Sequence, residues 1–255
     1  MIETALDFIE ALTERIARLA DTENRVAFWW RDDDAVEPTP ALERLIGLSE
    51  KYAVPLALAV IPKPVDPALA DRVAKNKTVT VLQHGWAHIN HQPAGEKKAE
   101  LGDARPKEVV LDELAEGHDR LTELFDDRFQ PVLVPPWNRI APDVVERRKT
   151  YAWLIGLSTF GPVLDEDPYQ VNTHLDIIDW RGTRGFIGWQ RAWDVLDREI
   201  ALRLDGASSE PIGLLTHHLV HDEACWDFLD TFLGCLDLRP PIVWPTVPEL
   251  FGFQY

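Results

Sequence analysis

Along almost the whole chain, short apolar runs alternate with amphipathic helical segments, and few architectures accept such a pattern. Strands are expected at residues 26–30, 55–61, 78–82, 131–134, 152–157, 174–178 and 212–215, with 242–244 as a closing strand. Helices are expected at 40–52, 66–75, 142–149, 189–204 and 222–236, with another long one ending near 127. Thr39-Pro40 has the composition of a helix start, a capping hydroxyl followed by a proline in the first turn. Ile2, Leu6, Ile9, Leu12, Ile16 and Leu19 recur at helical spacing, so residues 1–22 read as a leading amphipathic helix. Strand–helix alternation implies parallel strands joined by right-handed crossovers. The expected fold is therefore α/β: a partial or distorted (β/α) barrel of seven or eight strands with a parallel core. A doubly wound open sheet is the alternative. No glycine-rich phosphate loop follows the first strand; the turn there is rich in Asp, which repels phosphate. With no linker or internal repeat, residues 1–255 read as a single domain.

The formal net charge of −17 excludes general nucleic-acid binding, which needs clustered Lys and Arg, and disfavours anionic membranes. No apolar run has the length to span a bilayer, so membrane insertion is not expected. The expected partner is a small-molecule or oligosaccharide substrate. Cys225 and Cys235, ten positions apart on one expected helix, are too distant for a disulfide and suit a reducing compartment. The N-terminal segment lacks the continuous apolar stretch of a secretory signal. A cytoplasmic location is the expectation.

Polar clusters follow the expected strands: Asp32, Asp33 and Asp34; His84 to His88; residues 135–139; Asp179-Trp180; and residues 217–221. In a parallel barrel these strand ends share one face, where active sites are built. Two imidazoles four residues apart, with a carboxylate from another strand, are a ligand set for a divalent ion. The acidic triplet offers two adjacent pairs, so either Asp32 or Asp33 is open as a base. An unbroken strand would put Asp32 and Asp34 on the face of Trp30. The same alternation lets only one of His217 and His218 point into a barrel. Among ten Trp residues, Trp137 and Trp180 are expected as pocket walls, and Trp29, Trp30 and Trp153 as core.

Taken in order, Asp33-Asp34, His84-Gly85-Trp86-Ala87-His88, Pro135-Pro136-Trp137-Asn138, Asp179-Trp180 and Leu214-Leu215-Thr216-His217 resemble the motifs of the polysaccharide deacetylase family, the NodB-homology carbohydrate esterases. The resemblance runs over residues 26–220. It implies metal-dependent removal of an acetyl group from an N-acetylated sugar. Asp34, His84 and His88 would hold one divalent ion, zinc first, with cobalt, nickel, manganese or iron also compatible. Asp33 would be the general base and His217 the general acid, with Asp179 tuning it. Trp137, Asn138, Arg139 and Trp180 would touch substrate. Without an export signal, the expected substrate is an intracellular precursor, such as a nucleotide-linked or lipid-linked amino sugar. The chain departs from the family pattern at two places. Val134 stands where the family carries an Arg that orients the catalytic Asp, and Asn138 replaces a Gly. Arg31 or Arg139 could supply that charge from another direction. Two other readings are open: a hydrolase of a non-sugar amide or ester, and a silent metal- or sugar-binding relative.

Overall fold

The first strand is the longest, because the charged residues at its end are buried rather than expelled. In the computed structural model, which describes residues 1–20, 25–163, 167–236 and 242–253, β1 spans Val26–Ala35. It continues past the expected end at residue 30, since Arg31, Asp32 and Asp33 all find partners away from solvent. The remaining strands are β2 (Leu56–Val60), β3 (Val79–His84), β4 (Phe129–Val134), β5 (Gly156–Leu157), β6 (Leu175–Asp176), β7 (Ile212–Thr216) and β8 (Ile242–Val243). Seven lie in the order β5-β4-β3-β2-β1-β7-β6, with parallel pairing throughout. Single bridges, Leu157 to Gln170 and Phe160 to Thr173, join the β5 edge to the segment that leads into β6. The result is a partial (β/α) barrel, not an open doubly wound sheet. β8 does not complete the rim. It pairs with the start of β1, Val26 beside Ile242 and Ala27 beside Val243.

The helices are α1 (Ala5–Ala20), α2 (Pro40–Tyr52), α3 (Pro67–Val73), α4 (Lys107–Phe125), α5 (Pro142–Tyr151), α6 (Trp189–Leu204), α7 (Glu223–Cys235) and α8 (Val247–Phe251). Residues 21–22 of the expected leading segment lie outside the described residues. Thr39, Asp66 and Asp222 cap α2, α3 and α7 by accepting a backbone N–H of the first turn. α5 runs on to Tyr151, which shortens the strand expected at 152–157 to two residues. Trp153 is a correction. It follows α5 with φ of 53°, is 57% exposed, and lies against the ring of His118 (centroids 6.0 Å) rather than in the core.

Two apolar layers follow from strand alternation. Trp29, Ala57, Leu82, Val132 and Val134 face inward, while Phe28, Trp30, Leu56 and Val81 pack outward in the layer that holds the helices. Each buried Val, Leu or Phe side chain here contributes about 1.5–3 kcal/mol relative to leaving it exposed. The sequence reading did not foresee α8. Its Thr246/Glu249 capping box sets it across the inner layer, with Phe251 against Trp29 (centroids 6.3 Å). A Cβ on Gly156 would meet Val132 and Phe251 there. The N-terminal end of the barrel is thus filled, and the polar loops gather at the other.

Candidate metal and acid–base site

Three consecutive carboxylates on β1 reach three different partners. Asp32 faces Leu58 across β2 but Ala35 faces Val60, so three steps on β1 match two on β2, a single-residue bulge. Within it Asp34 takes φ of 74°, which breaks the alternation and turns its carboxylate away from the Trp30 face. Asp32 stays on the outward side. It is fully buried and accepts hydrogen bonds from Thr216 Oγ1 (2.7 Å) and His218 N–H (3.0 Å), and pairs with His218 Nδ1 (2.5 Å). Asp33 points inward and takes both arms of Arg31, Nε to Oδ1 at 2.9 Å and Nη2 to Oδ2 at 3.0 Å. Of the two candidates left open by the sequence, the structure aims Asp33 at the barrel interior.

The Arg31 guanidinium is itself 0% exposed. Beyond Asp33 it donates to Ser158 Oγ (2.7 Å), Thr159 O (3.2 Å) and Asn138 Oδ1 (2.9 Å). The charge absent at Val134 therefore enters from β1 itself, and Asn138 supplies part of its cradle. Trp137 and Asn138 both have positive φ, 56° and 54°, an uncommon conformation for a bulky residue such as Trp. That turn lays Trp137 on His88 (centroids 4.3 Å) and delivers Asn138 to Arg31. Arg139 is exposed and donates to Lys98 O (2.7 Å), outside this network.

Asp34, His84 and His88 come together as expected, one ligand atom of each lying within 4.8 Å of the others. Asp34 Oδ1 sits 3.2 Å from His84 Nε2 and 3.3 Å from His88 Nε2. It is buried there without a hydrogen-bond partner. His84 Nδ1 faces Val134 O at 2.9 Å, a partner that can only accept, so Nδ1 carries a proton, and in the neutral ring Nε2 is the nitrogen with a lone pair for a cation. An orphaned carboxylate oxygen aimed between imidazole nitrogens fits a divalent cation. Burial alone would raise the Asp34 carboxyl, but His84, His217 and His88 outweigh it and hold it well below the ordinary range.

His217 lies across the site at the end of β7. Its ring packs edge-on against Trp180 (centroids 4.8 Å), while His218 turns to Asp32, so one of the two points inward as alternation requires. The carboxylate beside His217 is Asp176, not Asp179. Trp180 Nε1 donates to Asp176 Oδ2 at 2.7 Å, and burial pushes the Asp176 carboxyl up against the pull of His217. Asp179 instead closes the 179–185 turn and pairs with Arg191 at 3.3 Å. The Asp-Trp motif fixed attention on the carboxylate next to Trp180, whereas the Trp180 side chain folds back over Asp176. Sequence reasoning also missed Ser158, which its position after β5 could have indicated, and Glu100, for which the sequence carries no signal.

No family model matches the chain, and no curated protein matches it in sequence. Solved structures match it in fold. A Mycobacterium smegmatis protein described provisionally as a polysaccharide deacetylase has a TM-score of 0.64 at 13% identity, over 90% of both chains. The Bc1960 peptidoglycan N-acetylglucosamine deacetylase, in complex with 4-naphthalen-1-yl-N-oxidanyl-benzamide, gives 0.56 at 15% identity over 91% of both. A family 4 acetyl xylan esterase from Clostridium thermocellum, in complex with a cobalt ion, gives 0.52 at 15% identity, covering 89% of this chain and 90% of that one. The chain has the fold of polysaccharide deacetylases and family 4 carbohydrate esterases.

Proposed function

We propose that this chain is a metal-dependent amide hydrolase that removes an acetyl group from an N-acetylated sugar or a related precursor. The observation that carries the reading is the convergence on one barrel end of an orphaned Asp34–His84–His88 set, an Arg31-tethered Asp33 and an inward His217. The fold shared with deacetylases and a cobalt-containing esterase supports it. Asp34, His84 and His88 would hold one divalent ion, with zinc the first candidate. When bound, such an ion makes a water molecule acidic near neutral pH and polarises an acyl oxygen. Asp33, aimed by the two arms of Arg31, accepts the proton of the attacking water. His217 donates a proton to the departing amine. Trp180 packs edge-on against the imidazole, and Trp137 and Trp180 wall the acyl pocket. The buried thiol of Cys225 on α7 suits a reducing compartment.

A second reading has its own support. Ile89, Phe160, Leu219 and Val220 are exposed on loops at the same strand ends, a more apolar mouth than a bare sugar needs. A non-sugar acylated amine or ester would suit it. The test is bound metal per chain, and release of acetate and amine from sugar and non-sugar amides. Wild type is compared with Asp33→Asn and His88→Ala. The reading predicts near one ion per chain in wild type and Asp33→Asn, little in His88→Ala, and turnover in wild type alone. A metal-free, inert wild type after loading with zinc, cobalt or manganese would sink it.

A further inference from the structure

Glu100 belongs neither to the metal set nor to the acid–base pair, yet it is 1% exposed in a largely polar loop. Its carboxylate lies inside the turn that joins the two histidines. Oε2 accepts the Trp86 N–H (3.0 Å), and Oε1 accepts those of Ala87 (2.7 Å) and Ile89 (3.4 Å). No Lys or Arg pairs with this carboxylate among the described residues; the Arg105 side chain reaches its backbone carbonyl instead, at 3.3 Å. The hydrogen bonds this carboxylate accepts all come from backbone amides among the described residues, as in the concave amide nests that bind anions.

The fit is built from both sides. Gly85 has φ of 58°, and a Cβ there would overlap Glu100 Oε2 and the Pro136 ring. His88 also takes a left-handed conformation, φ 55°, which closes the turn around the carboxylate. The neighbours of Glu100 are anchored independently. Ala99 pairs with Asn90 Oδ1 (3.0 Å) and the His91 N–H (3.1 Å), and Leu101 O accepts from Ala141 N–H (2.8 Å). The carboxylate thus arrives on a fixed strap, and residues 85–89 wind around it.

We infer that Glu100 is a positioning residue for the metal centre, the anion that shapes the His84–His88 turn and so sets the spacing of both imidazoles towards Asp34. The inference rests on the metal reading above and adds a residue that none of the motifs contains. Without the carboxylate, three N–H groups, that of Trp86 buried, lose their acceptor, and His88 loses the turn that aims it while His84 stays fixed on β3.

The test uses the full chain as wild type, Glu100→Ala and Glu100→Gln, stripped by chelation and titrated with Co²⁺. It reads dissociation constant, visible spectrum and, before metal addition, amide hydrogen exchange at residues 86–89. Glu100→Ala is expected to lose exchange protection there, to bind cobalt about 10–100-fold more weakly and to shift the d–d bands. Glu100→Gln, which keeps one acceptor oxygen, is expected to fall between. A folded Glu100→Ala with wild-type affinity and spectrum overturns the inference alone. A wild type that takes up no cobalt defeats the metal reading, and this inference with it. Should Glu100→Ala fail to fold, Glu100→Gln decides: weaker binding with an altered spectrum upholds the role, and unchanged binding overturns it.

Discussion

Every N–H of Arg31 has a use, and that sets what a substitution there would do. The guanidinium holds Asp33 with two arms and spends the rest on Ser158, Thr159 and Asn138, all out of solvent. Lysine keeps the charge but not the planar fork. Under the proposed function, Arg31→Lys should lower kcat by about 100-fold, the scale of a misplaced reacting group. Bound metal should be unchanged, because Asp34 and the histidines do not depend on Arg31. Elemental analysis beside steady-state kinetics checks both halves. His221 presents the opposite case, a buried group with too few partners. Both its nitrogens are buried without a hydrogen bond, and its ring lies against Trp226 (centroids 4.5 Å). Burial, with His218 and His217 nearby, holds its pKa down to about 4 against the opposite pull of Asp32 and Asp222. Unfolded, it would take a proton near 6.5, so between these values the unfolded chain binds more protons and stability falls as pH drops. The loss across that window is at most about 3 kcal/mol. Denaturant titrations of metal-free protein at pH 7, 5.5 and 4.5 should show it, and His221→Phe should flatten the trend. An unchanged slope in that variant would assign the effect elsewhere.

At the scale of elements, β1 is the piece on which the rest of the site is registered. Its outward Asp32 ties the end of β7, bonding Thr216 and His218 on either side of His217. Removing that carboxylate leaves a buried imidazole and two donors unpaired, so Asp32→Ala should cost about 3–5 kcal/mol. Equilibrium unfolding would measure it, with a loss below 1 kcal/mol counting against a buried pair. Strands buried on both faces read as apolar runs, which is why β2, β3, β4 and β7 were legible from the sequence. β5 and β6 were less so. They are two residues each, and the described residues between them are held by isolated bridges and by side chains such as Asn172, whose Oδ1 takes the Thr159 N–H, rather than by a continuous ladder. The extension of β1 escaped notice because charge normally ends a strand, and here Arg31 and His218 neutralise it inside. The convergence of Asp34, His84 and His88 was legible because His-x-x-x-His and a strand-end Asp are local patterns. Asp34 nevertheless reaches the site only through a bulge and a left-handed residue, which alternation alone would have denied. That Asp176 rather than Asp179 lies beneath Trp180 is not legible in the sequence, because side-chain direction beyond a short strand is not written in spacing.

Across the whole molecule, the barrel has one end filled by α8 and the other crowded with like charges. Asp33 and Asp34 lie close enough to act together on His84, and Asp176 feels Asp33, in a chain of net charge −17. Arg31 answers Asp33 and His218 answers Asp32, but Asp34 Oδ1 has no donor. A cation at that point would tie β1 to β3 and the turn after it, and only the folded chain assembles the three ligands. Metal binding should therefore appear as global stability. At a free concentration 100 times the dissociation constant, the gain is about 2.7 kcal/mol, or roughly 5–10 °C in Tm for a domain of this size. Thermal melts with added Zn²⁺ or Co²⁺ should show that rise, and chelator should reverse it. Asp34→Ala should melt at one temperature with or without metal. His217→Ala, outside the ligand set, should keep most of the shift while losing turnover. If His217→Ala also lost the shift, His217 would have to be counted among the ligands, and the proton for the leaving amine would need another source at the same barrel end.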